Sequence, residues 1–266
     1  MATSKKKTMT RNRFFRLGLI LSTLAVFVAS VILFFWFTTR ALFSKNQHFT
    51  LKNVKVVSVG WWDKQSRRVS GILKIIPGQT NLFDVDLKEL RTVLEREPSI
   101  EKVTTARSLP DTLKVNIIER IPRAFLGSRG IDLVVDSNGI VMDKKTCVPL
   151  SPKMPVIKNF RIPKGQNLHP GLEISALKPA LELVMITRTD YPEFKVDQIG
   201  VGDHDEIFVR LIYGINSPRI YNVIMPPKSL KNNLNILKTA ILKSIKDQDP
   251  RTTMNLCYEG QVLLTP

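Results

Sequence analysis

Histidine and cysteine are scarce here, three of the first and two of the second among 266 residues. Most metal centres need several such ligands at set spacings, so few candidates survive. Two cysteines cannot build the dense disulfide framework of small secreted folds. Cys147 and Cys257 could close one bridge across a loop of about 110 residues, but a chain this long does not need it, and two unpaired thiols are the expectation. Also missing are the Gly-x-Ser-x-Gly elbow, the phosphate loop and Gly-x-Gly-x-x-Gly. The one dense acidic run, Asp203-His204-Asp205-Glu206, is expected to be a solvated turn between strands, because consecutive residues rarely converge on one ion. His48 and His169 have no motif around them, and the remaining carboxylates are scattered. The expectation is a chain that is not an enzyme, with no catalytic residue, no metal, no cofactor and no small-molecule substrate.

Acidic residues are absent from the first 45 positions, which hold eight Lys and Arg. The whole chain carries +17, so the portion beyond keeps +9 and the charge asymmetry is N-terminal. Lys5, Lys6, Lys7, Arg11, Arg13 and Arg16 precede an uncharged run from Leu17 to Thr39. Its apolar part, Leu17 to Phe37, would span about 32 Å as a helix, enough for a hydrocarbon core of about 30 Å. Fourteen of those 21 residues are Leu, Ile, Val or Phe. Insertion then gains on the order of 4 to 8 kcal/mol. A cleaved signal peptide is the alternative, but the run is long and Thr39-Arg40-Ala41 is a poor cleavage site. A retained single-pass anchor is expected. Six cations precede the span, while Arg40, Lys45, Lys52 and Lys55 follow it, so the positive-inside rule keeps the N-terminus in the cytosol. Residues 40–266 would then lie outside, where nucleic acid is not a partner.

Pro77 to Phe125 reads as a helix followed by a hairpin. Asp86 stands where a helix cap is needed, with Glu89 three residues on. Leu87, Leu90, Val93 and Leu94 form an apolar stripe, and Pro98 stops the helix. Ile100 to Arg107 is a strand, Leu109-Pro110-Asp111 turns, and Leu113, Val115 and Ile117 alternate with polar residues. Such a unit needs a partner strand, which Phe49 to Val59 supplies. Ile72, Leu73, Ile75 and Ile76 fit a short first helix, after a charged loop holding Trp61 and Trp62. Those tryptophans could mark a partner site, meet headgroups or pack on the core; packing is favoured, since Trp is mostly buried.

Past Ile121 the pattern changes. Asp132 to Met142 is a hairpin turning at Asn138-Gly139. Pro149 to Pro163 reads as an irregular connection or edge strand, and Pro179 to Arg188 as a helix. Strands follow at Phe194–Val201, Glu206–Tyr213 and Arg219–Met225. Ser229 is placed to cap a helix with Leu230, Leu234, Leu237, Ile241 and Ile245 on its core face, and a last strand runs from Thr253 to Leu264. The order is α+β, with a mainly antiparallel sheet and two helices in this half.

Asn81-Leu82-Phe83, Asp86-Leu87, Leu94, Pro98, Arg107, Pro110, Thr112-Leu113, Val115 and Glu119-Arg120-Ile121-Pro122-Arg123-Ala124 together resemble the POTRA module of the bacterial FtsQ/DivIB cell-division family. The chain differs from that pattern at Ser99, where an aromatic is usual, and in the segment Trp61 to Arg68. Met254 to Val262 resembles the closing strand of the same family, with Asn255 and Cys257 in place of Asp and Arg. The resemblance implies a cytoplasmic basic tail over 1–16, a transmembrane helix over 17–39, a β-α-α-β-β POTRA domain over 49–120 and an FtsQ-type β-domain over 121–266. It further implies a single-pass type II inner-membrane protein at the division septum, bridging early and late division proteins. In that family the POTRA module recruits FtsK-type proteins and the β-domain holds FtsB and FtsL. The residues this assigns are Tyr258, Glu259, Gly260, Gln261 and Val262 on an edge strand, with Lys102, Thr104 and Arg107 on the POTRA hairpin. An edge strand offers unpaired backbone groups that a partner strand can complete. Two other readings stay open: a POTRA-type protein that handles polypeptides for export, and an anchored cell-wall enzyme using the acidic run.

Overall fold

The computed structural model describes residues 4–39, 43, 46–127, 131–147, 150–202, 206–214, 217–258 and 261–265. The apolar run forms helix α1, Ser4–Thr39, and its window Leu21–Thr38 has a mean hydropathy of 2.2 with none of it buried. A helix that is apolar all round and unpacked is suited to lipid. Its hydroxyls are satisfied internally: Ser22 and Ser30 each donate to the carbonyl three residues earlier, at 2.8 Å.

Strand β1 (Asn53–Val57) leads through helices α2 (Ser66–Ile72) and α3 (Leu87–Leu94) to the hairpin of β2 (Ile100–Ser108) and β3 (Thr112–Glu119). The three strands lie in the order β1-β3-β2, with β1 parallel to β3, so this is the expected β-α-α-β-β unit. Asp86 caps α3, accepting from the N–H groups of Lys88 at 2.8 Å and Glu89 at 3.2 Å. Leu90 and Leu94 then face Val103, Leu113, Val115 and Ile117 in one cluster.

Two local expectations change here, and the favoured inward packing of the tryptophans holds. The first strand is shorter than Phe49 to Val59, because Gln47–Phe49 coils into a 3-10 turn that lets Phe49 pack on Phe43 and Phe83. Helix α2 begins earlier, at Ser66, and ends at Ile72, so Leu73, Ile75 and Ile76 fall outside it. Its end is fixed by Lys74, which has a positive φ of 52°, with the Ile75 N–H donating back to Ser70 O at 3.0 Å. The tryptophan loop is inward-facing: Trp62 is fully buried and its indole N–H donates to Ser99 Oγ at 3.0 Å. The two departures from the family pattern thus compensate each other. Glu119 anchors the same loop, accepting from the backbone N–H of Gly60, Trp61 and Trp62 at 3.2, 2.9 and 2.9 Å.

Among the described residues the second sheet has nine strands. They are β4 (Ala124–Leu126), β5 (Leu133–Val135), β6 (Val141–Asp143), β7 (Val156–Lys158), β8 (Phe194–Val201), β9 (Ile207–Tyr213), β10 (Arg219–Met225), β11 (Thr253–Asn255) and β12 (Leu263–Thr265). Their order is β12-β11-β10-β9-β8-β7-β4-β5-β6. It is a mixed sheet, because β4, β7 and β8 run parallel to one another and β11 runs parallel to β10. Helices α4 (Lys178–Asp190) and α5 (Leu230–Lys246) contribute Leu181, Leu183, Leu234 and Leu237 to its main core. Ile245 is 37% exposed and off the core face, while Ser244 is buried. Ser229 precedes α5 in a left-handed conformation and makes no side-chain cap. Asn233 ties this entrance instead, donating to Lys228 O at 2.8 Å and Pro226 O at 3.3 Å.

The proline-rich connection differs most from expectation. Its Val156–Lys158 is the interior strand β7, paired on both sides. Pro155 sits just before the ladder, where a missing N–H breaks no interior pairing. In the hairpin, Gly139 has a φ of +86°, and an added Cβ would stand 2.7 Å from Ile174 O.

One residue couples the two sheets. The Arg120 N–H donates to Ser99 O at 2.9 Å, and its guanidinium Nη1 donates to Asp136 Oδ2 at 3.0 Å. The pair is largely out of water, the side chains being 16% and 5% exposed. Asp136 Oδ1 also accepts from Asn138 N and Ile140 N, at 2.9 and 2.8 Å. Removing one member of a buried pair leaves an uncompensated charge. Arg120→Met is expected to destabilise the protein by about 3 kcal/mol. Asp136→Ala, which also frees two backbone donors, should cost at least as much. Chemical denaturation of the detergent-solubilised chain measures both.

Candidate interaction surfaces

Among the described residues the two sheets leave edges at β12, β6, β1 and β2; β2 carries one predicted set, and the other set falls on the connection leading into β12. The expected last strand, Thr253 to Leu264, is broken into β11 and β12, which pair antiparallel. The cause is local. Asn255 Oδ1 accepts the Cys257 N–H at 2.9 Å and bends the chain out of β11, and the Gln261 N–H then closes a turn on Tyr258 O at 3.2 Å. Tyr258, Gln261 and Val262 therefore lie on the connection, not in an edge strand, while Glu259 and Gly260 lie outside the described residues. Tyr258 is 55% exposed and points away from the core. Leu263, which the sequence did not single out, starts the edge strand with 48% of its surface exposed. Among the described residues no strand pairs with the outer side of β12.

This edge is held by a pair that carried no sequence signal. Asp249 Oδ2 accepts from Arg251 Nη2 at 2.6 Å, and Arg251 Nη1 donates to Leu264 O at 3.4 Å. The Arg251 guanidinium hydrogen-bonded to Asp249 holds that carboxyl down at about 2. Burial beside Glu206 pushes the Cys257 thiol up.

The second surface is β2, an edge of the three-stranded sheet. Lys102 and Thr104 are exposed on it. Arg107 is committed elsewhere: its Nε donates to Leu82 O at 2.9 Å and its Nη2 to Val85 O at 2.7 Å, with its guanidinium 5.6 Å from the Phe83 ring. It clamps the loop entering α3, so it shapes this surface from behind.

Asp203, His204 and Asp205 lie outside the described residues; among the rest no group of three His, Cys, Asp or Glu could hold a metal. Both cysteines are free, and burial pushes the Cys147 thiol up to about 12.

A single β-α-α-β-β unit after an N-terminal apolar helix, followed by a large mixed sheet with exposed edges, defines a POTRA-bearing protein with a candidate membrane anchor. A profile for the POTRA domain, FtsQ-type, matches residues 65–120. The cell division protein FtsQ of Koribacter versatilis is 24% identical over 237 residues, covering 87% of this chain and 65% of that protein. FtsQ of Zymomonas mobilis is 35% identical over 125 residues, 46% of this chain and 36% of that protein. DivIB of Clostridium tetani is 28% identical over 95 residues, 35% of each chain. In each case the matched part spans less than two thirds of the relative's length. Residues 65–120 thus match an FtsQ-type POTRA domain, and over most of its length the chain is similar to cell-division proteins of the FtsQ/DivIB family.

Protonating Asp249 releases Arg251 from its partner. Its carboxyl pKa is depressed on folding, so this contribution is complete above the usual value of 3.8 and is lost as pH falls through about 2. Protection of the amides of Leu263 to Thr265, relative to their intrinsic exchange rates at each pH, should fall over that window in the native chain, and Asp249→Asn should lower it already at pH 7.

Proposed function

We propose that this protein is a membrane-anchored scaffold of the division machinery that works by binding and positioning partners. Helix α1 anchors it with the N-terminus in the cytosol, and residues 40–266 stand outside the inner membrane at the septum. Residues 49–120 act as the POTRA domain and 121–266 as the β-domain. The free outer edge of β12, flanked by exposed Tyr258 and Leu263, carries the reading. Unpaired backbone groups there accept an added strand, and Tyr258 supplies a large, low-entropy anchor. FtsB- and FtsL-type proteins are the proposed occupants. The β2 edge, with Lys102 and Thr104, is the proposed recruiting face for FtsK-type proteins.

The test is capture of an FtsB-type partner by the full chain in detergent. Tyr258→Ala is expected to weaken capture roughly tenfold or more, as loss of an interface hot spot does. Its melting temperature should stay unchanged, since the residue leaves the core untouched. In cells, depletion should give filaments with a midcell-localised fusion. Normal septation on depletion would overturn the division role itself.

A further inference from the structure

The parallel run within the nine-stranded sheet creates a third surface that the family reading does not use. Strands β4, β7 and β8 are neighbours and point the same way, so their N-terminal ends share one rim. Arg123 immediately precedes β4, Lys153 stands just before β7, and Lys195 is the second residue of β8. Arg188, in the last turn of α4, completes the set. These four cations line one cavity of about 370 Å³, floored by buried apolar residues including Met154, Val184 and Phe194. No carboxylate lines it among the described residues.

The neighbouring acids are spent elsewhere. Asp190 pairs with Lys231 at 2.9 Å and Glu193 with Lys238 at 2.7 Å, both cations belonging to α5. The α4–β8 corner thereby turns its negative charge toward α5 and leaves its positive charge over the cavity. None of the four cations forms an ion pair with another described residue, and the buried Nε of Arg123 has no hydrogen-bond partner there. A buried donor left unmatched is costly, and a carboxylate brought to this side chain would offer it an acceptor.

The occupant can be narrowed by chemistry. A phosphate cradle uses glycine-rich backbone N–H groups. This lining has no glycine, and its Pro155 and Pro192 carry no N–H at all. What it offers is long cationic arms around an apolar floor. We propose that this cavity docks an acidic segment of a partner polypeptide in which carboxylates alternate with apolar side chains. The register separates this surface from the β12 edge. Phe194 and Tyr213 lie at one end of the strands, and Val201, Ile207, Met225 and Asn255 at the other, where Tyr258 follows.

The experiment uses the full chain in detergent at physiological salt and three fluorescent twelve-residue peptides. One alternates Glu and Leu, one alternates Gln and Leu, and one is all Glu. The Glu-Leu peptide should bind at least tenfold tighter than either control, and the triple variant Arg123→Gln, Arg188→Gln, Lys195→Gln should abolish that preference. Lys195→Gln alone, at an exposed position, should weaken binding severalfold without shifting the melting temperature. Tyr258→Ala should leave it unchanged, which keeps a failure here distinct from a failure of the β12 reading. Equal binding of the all-Glu peptide, or undiminished binding by the variants, overturns the proposal. So does a result in which vesicles containing phosphatidylglycerol engage Arg188 and Lys195 while the Glu-Leu peptide does not.

Discussion

The Arg120–Asp136 pair is the contact through which the two sheets are organised. Arg120 stands one residue past β3, and its backbone is already bonded to Ser99 in the smaller sheet. Its guanidinium then reaches a carboxylate whose other oxygen closes the β5–β6 turn. A largely desolvated charge pair tolerates little displacement, because either partner alone would be stranded away from water. The two sheets consequently meet at a fixed point instead of a slack linker. Pro98, in the turn between α3 and β2, lies against Gly171 of the larger half, where an added Cβ would still be in ordinary contact at 3.5 Å.

That joint matters for a protein whose proposed work is positioning. Two edges, β2 and β12, are offered on different sheets, and a scaffold can set the spacing of its partners only if the sheets keep their relation. The edges are also short or interrupted. β12 has three residues, and the link before it is bent by Asn255. Short edges limit unwanted strand pairing while leaving room for one matched segment.

Compensation between departures recurs in this chain. Ser99 lacks the aromatic bulk usual at its position, and Trp62 fills the core beside it while using the serine hydroxyl as acceptor. Asn255 replaces an aspartate and captures a backbone N–H. Arg107, although it belongs to the recognised motif, is occupied by two carbonyls of the α3 entrance. A motif residue can thus shape a binding surface through the backbone it holds.

The sequence alone determined what depends on neighbours along the chain. The N-terminal apolar helix, the Asp86 cap, the β2–β3 hairpin and strands β8 to β10 follow from periodicity, turn residues and capping, all local in range. Contacts between residues far apart in sequence decided the rest. β7 became an interior strand because β4 and β8 flank it on both sides, which no property of Pro149 to Pro163 announces. The terminal strand became a hairpin because a side chain captured an N–H two residues away and turned the chain out of β11 after three residues paired with β10. The cationic cavity is the furthest case. Arg123, Lys153, Arg188 and Lys195 are spread over 73 positions, and only the parallel register brings them to one rim.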